Sequence, residues 1–156
     1  MLHPLEQIPE FRIKKRPKAL SSLISLRNKL LAVSEPLKVL IEELEPDVHQ
    51  FWPLKLTTRN EKGYPEPYYG MVILQWRDSF VPEKSEQYKV DGPFIYGEDT
   101  KTGMSKLSLS RESIGQAHLW RERKLLMPNI LISDKLQSEI ENCGLRFWRH
   151  FPVQEI

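Results

Sequence analysis

The stretch LAVSEPLKVLIEELEPDVHQFWPLKL, residues 31–56, contains the signals for three consecutive elements. It opens with an apolar run that is typical of a buried strand. Ser34 can then cap a helix, and Pro36 suits the first helical turn, where the N–H has no partner in any case. The residues that follow at helical spacing and form one apolar stripe are Leu37, Leu40, Ile41 and Leu44. Pro46 ends the helix, and HQFWPLKL resumes as a strand whose proline predicts an edge or a bulge.

A second stretch, near the other end of the sequence, follows the same plan. LISDKLQSEIENCGLRFWRHF, residues 131–151, again gives an apolar run, a serine with an acid, a short helix, a break and Phe-Trp. We interpret the likeness as a shared strand–helix–strand plan rather than a duplication, because amphipathic helices resemble one another by construction. In this second stretch Ser133 begins the helix, Gly144 is its C-cap, and residues 145–151 form a final strand. The residues expected to face inward are Leu136, Ile140 and Cys143.

Between these two stretches, the sequence predicts a central strand, a long loop and another helix. YYGMVILQW, residues 68–76, is apolar on both faces, which indicates a strand that is covered on both sides. Residues 77–103 carry turn signals such as Asp-Gly-Pro and predict a long loop. Ser110 can cap a further helix. In that helix we place Ile114, Ala117, Leu119 and Trp120. The predicted fold class is therefore α+β, with a mixed β-sheet, three or so helices packed on it, and two β-α-β corners.

The length of 156 residues predicts one main domain. Residues 1–30 are basic and contain prolines, so we expect an N-terminal arm or an edge strand there, followed by a single α+β domain over residues 31–156. The single cysteine excludes an internal disulfide. The N-terminus lacks the apolar core of a secretory signal, and no apolar run reaches the ~18 residues that span a membrane. We therefore expect a cytoplasmic protein without a membrane partner.

Signatures of catalysis and of cofactor binding are absent from the sequence. The seven glycines are scattered and form no phosphate-binding loop. The four histidines lack the spacing of metal ligands. Cys143 lies on an apolar helical stripe, which favours a core thiol over a nucleophile. We expect no catalytic residue, no cofactor and no metal. An enzyme would have to use His118 with Glu122, which lie one turn apart on the predicted helix.

Charge and aromatic patterning favour a protein partner. Residues 34–50 carry five acids and one base, whereas residues 1–33 carry seven bases and two acids. The acidic cluster fits either a solvated helix end or a surface for a basic partner, and consists of Glu42, Glu43, Glu45 and Asp47. Tryptophan and arginine dominate interface energetics, so a second candidate surface consists of Trp120, Arg121 and Arg123, although Trp120 fits the core equally well. A net charge of +2 argues against nucleic acid as the partner.

Two blocks of the sequence resemble a known family. IGQAHLWRERKLLMPNILISDKLQSEIENCGLRFWRHF contains His-x-Trp-Arg at residues 118–121, then an apolar strand, ISD with a leucine at 132–136, and a glycine followed by an aromatic at 144–147. EPDVHQFWPLKL contains His-x-Phe-x-Pro at residues 49–53. These motifs resemble bacterial immunity proteins of polymorphic toxin systems, over about two-thirds of the chain from Leu31 onward. The first 30 residues contain no motif that we can assign.

The resemblance implies a function as well as a family. Such a protein binds a cognate protein toxin in the cytosol as a 1:1 complex, neutralises it by covering its active site, and carries no catalytic residues of its own. Three alternatives remain open on the sequence: an enzyme that reverses the toxin's modification, a nucleic-acid-binding domain that uses the basic arm, and a structural adaptor.

Overall fold

The computed structural model describes residues 8–13, 20–58, 62–98, 103–126 and 130–156. The α-helices are α1 (Glu35–Leu44), α2 (Arg111–Ile114) and α3 (Asp134–Asn142). The strands are β1 (Glu10–Arg12), β2 (Leu23–Ser25), β3 (Leu31–Ser34), β4 (Gln50–Thr57), β5 (Tyr68–Val72), β6 (Trp76–Arg77), β7 (Tyr88–Asp91), β8 (Phe94–Gly97), β9 (Ser108–Leu109), β10 (Leu119–Glu122), β11 (Ile130–Ile132) and β12 (Gln154–Glu155). Helices and strands are mixed along the chain, which confirms the predicted α+β class.

The chain divides into two compact units. The first comprises residues 1–72 and 138–148, and the second comprises residues 73–137 and 149–156. The sheet of the first unit has the strand order β1-β4-β5-β3-β2. Its two outer strands, β1 and β2, both come from residues 1–30. The division into an arm and one domain stays a prediction.

The strand–helix–strand plan of residues 31–56 is confirmed. Strands β3 and β4 each pair with β5 in the antiparallel sense, so they run parallel to each other with β5 between them. Helix α1 contacts β3 and β5. It buries Leu37, Leu40 and Ile41 of the predicted stripe. Strand β5 is therefore central, as predicted, but the single strand predicted over residues 68–76 was wrong beyond Val72, because Trp76 begins strand β6 of another sheet.

Pro53 shows why a proline is tolerated inside β4. It lies opposite Tyr69 of β5, and β1 pairs with β4 only from Lys55 onward. At Pro53 the strand therefore has no ladder partner on its second side among the residues the structure describes. The missing N–H costs no hydrogen bond there, and the predicted local edge is confirmed.

Ser34 is the N-cap residue of α1, but its hydroxyl does not cap the helix. The side chain is buried and its oxygen has no hydrogen-bond partner in the described part of the chain. The N-cap oxygen normally accepts from the second or third helical N–H. Pro36 occupies the second position and has no N–H, which removes one of the two targets. The predicted side-chain cap was wrong for Ser34.

The other face of the first sheet has its own core. Ala32, Leu54, Leu56 and Tyr68 are buried together there. The Tyr68 hydroxyl donates to the carbonyl of Ser21 at 2.9 Å. Burial, with smaller contributions from Tyr64 and Glu66, raises the pKa of the Tyr68 phenol far above its usual value. Strand β5 is thus covered on both sides up to Met71, whereas Val72, Leu74 and Trp76 are exposed, so the predicted coverage of residues 68–76 was wrong for these three.

Gly70 lies where the indole of Trp52 crosses β5. The two residues are paired between β4 and β5, and a Cβ added at Gly70 would lie 2.3 Å from Trp52 Cε2. We expect Gly70→Ala to destabilise the protein by about 1–3 kcal/mol, because the ring must leave its position. Urea denaturation measures the change. Gly63→Ala is the control, because a Cβ there meets nothing within 4 Å. Equal denaturation midpoints for the two variants would show that Trp52 moves aside at no cost.

Three small sheets lie in the described part of the second unit. One has the order β11-β10-β6, one is the β7–β8 hairpin, and one pairs β9 with β12. Its core consists of Phe80, Ile95, Leu107, Leu109, Ile114, Ala117, Trp120 and Leu125. In the hairpin, Asp91 pairs with Phe94, and Gly92 takes a φ of 58° at the first turn position, as a type II′ turn requires. The long loop predicted over residues 77–103 was therefore wrong where this hairpin forms. The Asp-Gly-Pro sequence that indicated a turn is the turn of the hairpin.

The helix predicted after Ser110 was wrong beyond its first turn. The Ser110 hydroxyl does accept from the Ser113 N–H, so the predicted cap is confirmed. Gly115 then takes a φ of 63° and ends α2. Residues 119–122 form strand β10 instead, because that segment is hydrogen-bonded between β6 and β11.

The second copy of the strand–helix–strand plan is completed only in part. Strand β11 leads into α3, whose Leu136 and Ile140 are buried as predicted. Gly144 has a φ of 62°, and the Leu145 N–H reaches back to the carbonyl of Ile140, as in a Schellman C-cap. Cys143 is exposed, because it follows the end of α3 where the chain turns, so the prediction that it faces inward was wrong. The strand predicted over residues 145–151 was also wrong, since no ladder forms along that segment.

Candidate binding surface

The sheet β11-β10-β6 places a tryptophan and an arginine side by side. Arg121 of β10 is paired with Trp76 of β6 and with Ile130 of β11, so the three residues form one row across the sheet. The guanidinium carbon of Arg121 lies 5.8 Å from the centroid of the Trp76 ring. Trp76 is 41% exposed. This geometry is a cation–π contact on an open surface.

We call this surface the Trp76 face and define it by Leu74, Trp76, Arg121 and Arg123. Leu74 is 50% exposed, and Arg123 is exposed as well. An exposed tryptophan beside an arginine resembles the composition of interface hot spots. The face differs from the sequence prediction in its tryptophan, because Trp120 does not belong to it.

Trp120 and Glu122 project from the other side of β10. Trp120 is 2% exposed and lies in the core of the second unit. Glu122 is fully buried, and its Oε2 accepts from the Ser79 N–H at 3.0 Å and from the Ser79 hydroxyl at 2.5 Å. Alternation of side chains along a strand explains why Arg121, between these two residues, points to the open side.

Hydrogen bonds between strands hold the backbone that carries the Trp76 face. The N–H of Arg121 donates to the carbonyl of Gln75 at 2.8 Å, and the N–H of Arg123 donates to the carbonyl of Arg77 at 2.9 Å. The Glu122–Ser79 bonds hold the segment that follows β6. Trp76 is therefore presented from a strand rather than from a free loop, which limits the entropy that binding would cost.

The positive charges of this region are not equivalent. Arg77 turns to the protein, where its guanidinium donates to the carbonyl of Ile114 at 3.1 Å and to Gln75 Oε1 at 2.8 Å. Lys124 pairs with Asp78 at 3.2 Å. Burial lowers the pKa of Arg121, because the guanidinium has lost part of its hydration. Arg121 and Arg123 are the basic residues of the Trp76 face.

The acidic cluster of the first unit separates into surface and interior residues. Glu43 and Asp47 are exposed. Glu42 is half-buried and pairs with Lys38, whose Nζ lies 2.5 Å from Glu42 Oε2. The same ammonium lies 5.4 Å from the Phe51 ring centroid and 5.1 Å from that of Tyr69. Two of the four carboxylates are thus fully open to a partner, and a third is already paired.

Glu45, the fourth acid of the cluster, is an interior residue. It is 6% exposed, and its Oε2 lies 2.8 Å from Nε2 of the buried His49. Asp47 takes a left-handed φ of 57° between them, which turns the chain back so that the two side chains meet. Glu45 stabilises the turn between α1 and β4 and cannot touch a partner without unfolding that turn.

A cavity of about 270 Å³ lies in the second unit beside His118 and Ser133. Ser133 Oγ lies 2.7 Å from His118 Nδ1 and accepts the N–H of Leu136 at 3.1 Å, so the pair caps α3. His118 precedes a strand, and four extended residues place it about 13 Å along the chain from Glu122. The predicted one-turn pairing of His118 with Glu122 was therefore wrong. In the described ranges, no group of three or more His, Cys, Asp or Glu side chains could hold a metal ion.

An exposed tryptophan with an arginine over its ring has the residue composition of interface hot spots. The sequence comparison names the family: the chain matches the Immunity protein family (Imm11) over residues 3–155 and belongs to it. The match includes nearly all of the first 30 residues, which the motifs had left unassigned. A comparison with curated proteins found no match. Family membership indicates an immunity function against a toxin. None of the helices described here has the length and apolar character needed to cross a membrane.

Proposed function

We propose that this protein is a non-catalytic immunity protein, which binds a cognate toxin as a 1:1 complex in the bacterial cytoplasm and covers the toxin's active site. The observation that carries the proposal is the exposed Trp76 with Arg121 over its ring, in a chain of an immunity family. The proposed contact residues are those of the Trp76 face. Glu45 and Trp120 are not among them, because both are buried.

The Trp76 face has the physical properties that a tight interface needs. Burying a large aromatic ring removes much apolar surface from water, and a few such anchors supply most of the affinity of an interface. The guanidinium carbon already lies 5.8 Å from the ring centroid, so part of the side-chain entropy is lost before binding. Glu42, Glu43 and Asp47 form a second surface that a basic toxin could use, and the experiment below separates the two.

The test is co-expression of the chain with the product of the adjacent upstream gene, followed by size exclusion and calorimetry. We expect a 1:1 complex and a partner that is toxic only when expressed alone. Trp76→Ala is expected to weaken binding at least 10-fold, about 1.4 kcal/mol, because it removes the central ring. The control is Trp148→Ala, which removes a tryptophan of similar exposure, 37%, outside this face. Glu43→Ala with Asp47→Ala tests the acidic surface.

Three outcomes would contradict the proposal in distinct ways. Loss of binding in the acidic variant, with Trp76→Ala unaffected, would move the interface to the end of α1. Protection of cells without a complex, at less than one molecule per toxin, would favour an enzyme that reverses the toxin's modification. Affinity for nucleic acid that falls steeply with salt would favour the basic N-terminal residues as the site.

A further inference from the structure

We infer that strand β7 is an open sheet edge at which two molecules of this protein associate. The two β7 strands lie antiparallel, and Val90 of one molecule faces Val90 of the other across a two-fold axis. The inference concerns the protein by itself, so it goes beyond the proposed function and does not depend on it.

The backbone of β7 has an unused hydrogen-bonding side. Val90 is paired with Ile95 of β8. The Ile95 N–H donates to the carbonyl of Lys124 at 2.7 Å, and the Ile95 carbonyl accepts from the Leu126 N–H at 2.8 Å. Because both groups of Ile95 point away from β7, Val90 lies at a non-hydrogen-bonded position of the ladder, and its own N–H and C=O point outward. No hydrogen bond occupies them in the ranges that the structure describes, so this edge has the donor and the acceptor that another strand needs.

An apolar row leads across the hairpin to this edge. Leu125 is bridged to Ile95, and Ile95 is paired with Val90. Residues paired in this way point to the same face of a sheet. Leu125 and Ile95 are buried, whereas Val90 is 64% exposed. A strand placed beside β7 would therefore bury Val90 and continue the row.

The charges of β7 favour a second molecule of the same protein as the added strand. Lys89 and Asp91 flank Val90 and share the opposite face of β7. With the two-fold axis through Val90, Lys89 of each molecule lies opposite Asp91 of the other, which is the reciprocal contact of an isologous interface. Opposite charges at facing positions stabilise antiparallel strands. An axis through Lys89 would instead set two lysines opposite each other, so the register through Val90 is favoured.

Lys89 already has one contact within its own molecule. Its Nζ lies 3.9 Å from Glu98 Oε1, and both side chains are more than half exposed. An exposed pair of that length contributes little to stability. An ammonium has three donors, so it can bind a second carboxylate as well. Asp91 makes no ion pair with any residue that the structure describes, and it is the carboxylate that the second molecule would bring.

The expected dimer is reversible. The shared ladder spans at most residues 88–92 of each molecule, about 17 Å of strand. A strand pair of that length buries less than the ~1,200 Å² of a stable complex. We therefore expect a Kd on the order of 100 μM and dissociation on dilution.

Sedimentation velocity of the purified full chain, over roughly 5 to 500 μM, measures this association. We expect the wild-type sedimentation coefficient to rise with concentration as a monomer–dimer equilibrium. Val90→Lys is expected to weaken the dimer at least 10-fold, because it sets two ammonium groups opposite each other on the axis. The control is Val39→Lys, the same substitution at an exposed valine of α1, which should leave the dimer Kd unchanged.

A mixing experiment tests the register. Lys89→Asp leaves two acids on the edge, and Asp91→Lys leaves two bases, so each variant alone opposes like charges across the axis. Each is expected to associate at least 10-fold more weakly than the wild type. An equimolar mixture of the two variants opposes only unlike charges, and we expect it to regain the dimer.

Four outcomes would overturn the inference. The first is a wild-type chain that stays monomeric over the whole range. The second is a dimer that Val90→Lys leaves as tight as Val39→Lys does, because the contact would then lie elsewhere. The third is a mixture no tighter than its two components, because Lys89 and Asp91 would then not face each other. The fourth is a monomeric chain whose toxin binding is weakened by Val90→Lys, because the edge would then receive a strand of the toxin.

Discussion

Replacing Trp120 by alanine is expected to destabilise the protein by about 3–5 kcal/mol, the usual cost of truncating a large buried aromatic residue. The ring is 2% exposed and packs in one cluster with Leu107, Leu109 and Ile114. Its removal leaves a cavity that strand-bonded neighbours cannot fill. Guanidinium denaturation monitored by circular dichroism measures the change. Trp76→Ala is the matched comparison, because it removes the same side chain from an exposed position of the same sheet and is expected to change stability by less than about 1 kcal/mol.

A second variant, Trp120→Phe, separates packing from hydrogen bonding. The indole Nε1 of Trp120 is buried without a hydrogen-bond partner among the residues described. Phenylalanine is smaller than tryptophan, but replacing the indole loses no hydrogen bond here. We therefore expect Trp120→Phe to lose less than half of the free energy of unfolding that Trp120→Ala loses. If Trp120→Ala unfolds at the same denaturant concentration as the wild type but loses toxin binding, this prediction is wrong. Trp120 would then be a contact residue, and the interface would include its side of β10.

The elements that were predicted from the sequence depend on short-range signals. Helix α1 has an apolar stripe, a proline in its first turn and another proline just beyond its end, all within a dozen residues. Helix α3 has a serine whose hydroxyl caps it and a glycine that ends it. In both cases the local sequence and the tertiary packing favour the same structure, so the prediction succeeded.

The helix predicted around Trp120 was wrong because the structure of that segment depends on strands that are distant in the sequence. Ile114, Ala117 and Trp120 fit a helical stripe, yet β10 forms because β6 and β11 pair with it on both sides. Once the segment is extended, Trp120 and Arg121 must face opposite sides. The sequence grouped Arg121 with Trp120, whereas the structure places it beside Trp76, because nothing local indicates that a residue more than forty positions earlier lies next to it. Which of these residues contact a partner stays a prediction. The one available signal was an aromatic residue at the end of an apolar strand.

The structure shows that the four acids of the cluster are not equivalent, because Glu45 is buried whereas Glu43 and Asp47 are exposed. Glu45 and His49 are four residues apart in the sequence, and their side chains meet in the structure. Their meeting depends on the left-handed conformation of Asp47, which the residue type permits but does not require. The composition of the cluster could therefore not distinguish the interior Glu45 from the exposed Glu43.

Glu45→Ala is the second large effect that we expect, a loss of about 3 kcal/mol. A buried hydrogen-bonding group that loses its partner costs 1–3 kcal/mol, and a member of a buried ion pair costs 3–5 kcal/mol. The His49 side chain is fully buried, so water cannot replace the carboxylate. Glu43→Ala, two residues away and exposed, is the control and should change stability by less than about 0.5 kcal/mol. Both are measured by urea denaturation at pH 7.

The same pair of variants decides what the acidic cluster does. If it is only a helix end, Glu45→Ala lowers stability while the toxin Kd stays unchanged under conditions where the variant is folded, and Glu43→Ala changes neither quantity. If the cluster binds the toxin, Glu43→Ala raises Kd without any loss of stability. Equal, small stability changes in both variants would mean that the Glu45–His49 contact contributes nothing to folding, and the turn between α1 and β4 would then be held by the strand pairing of β4 with β5.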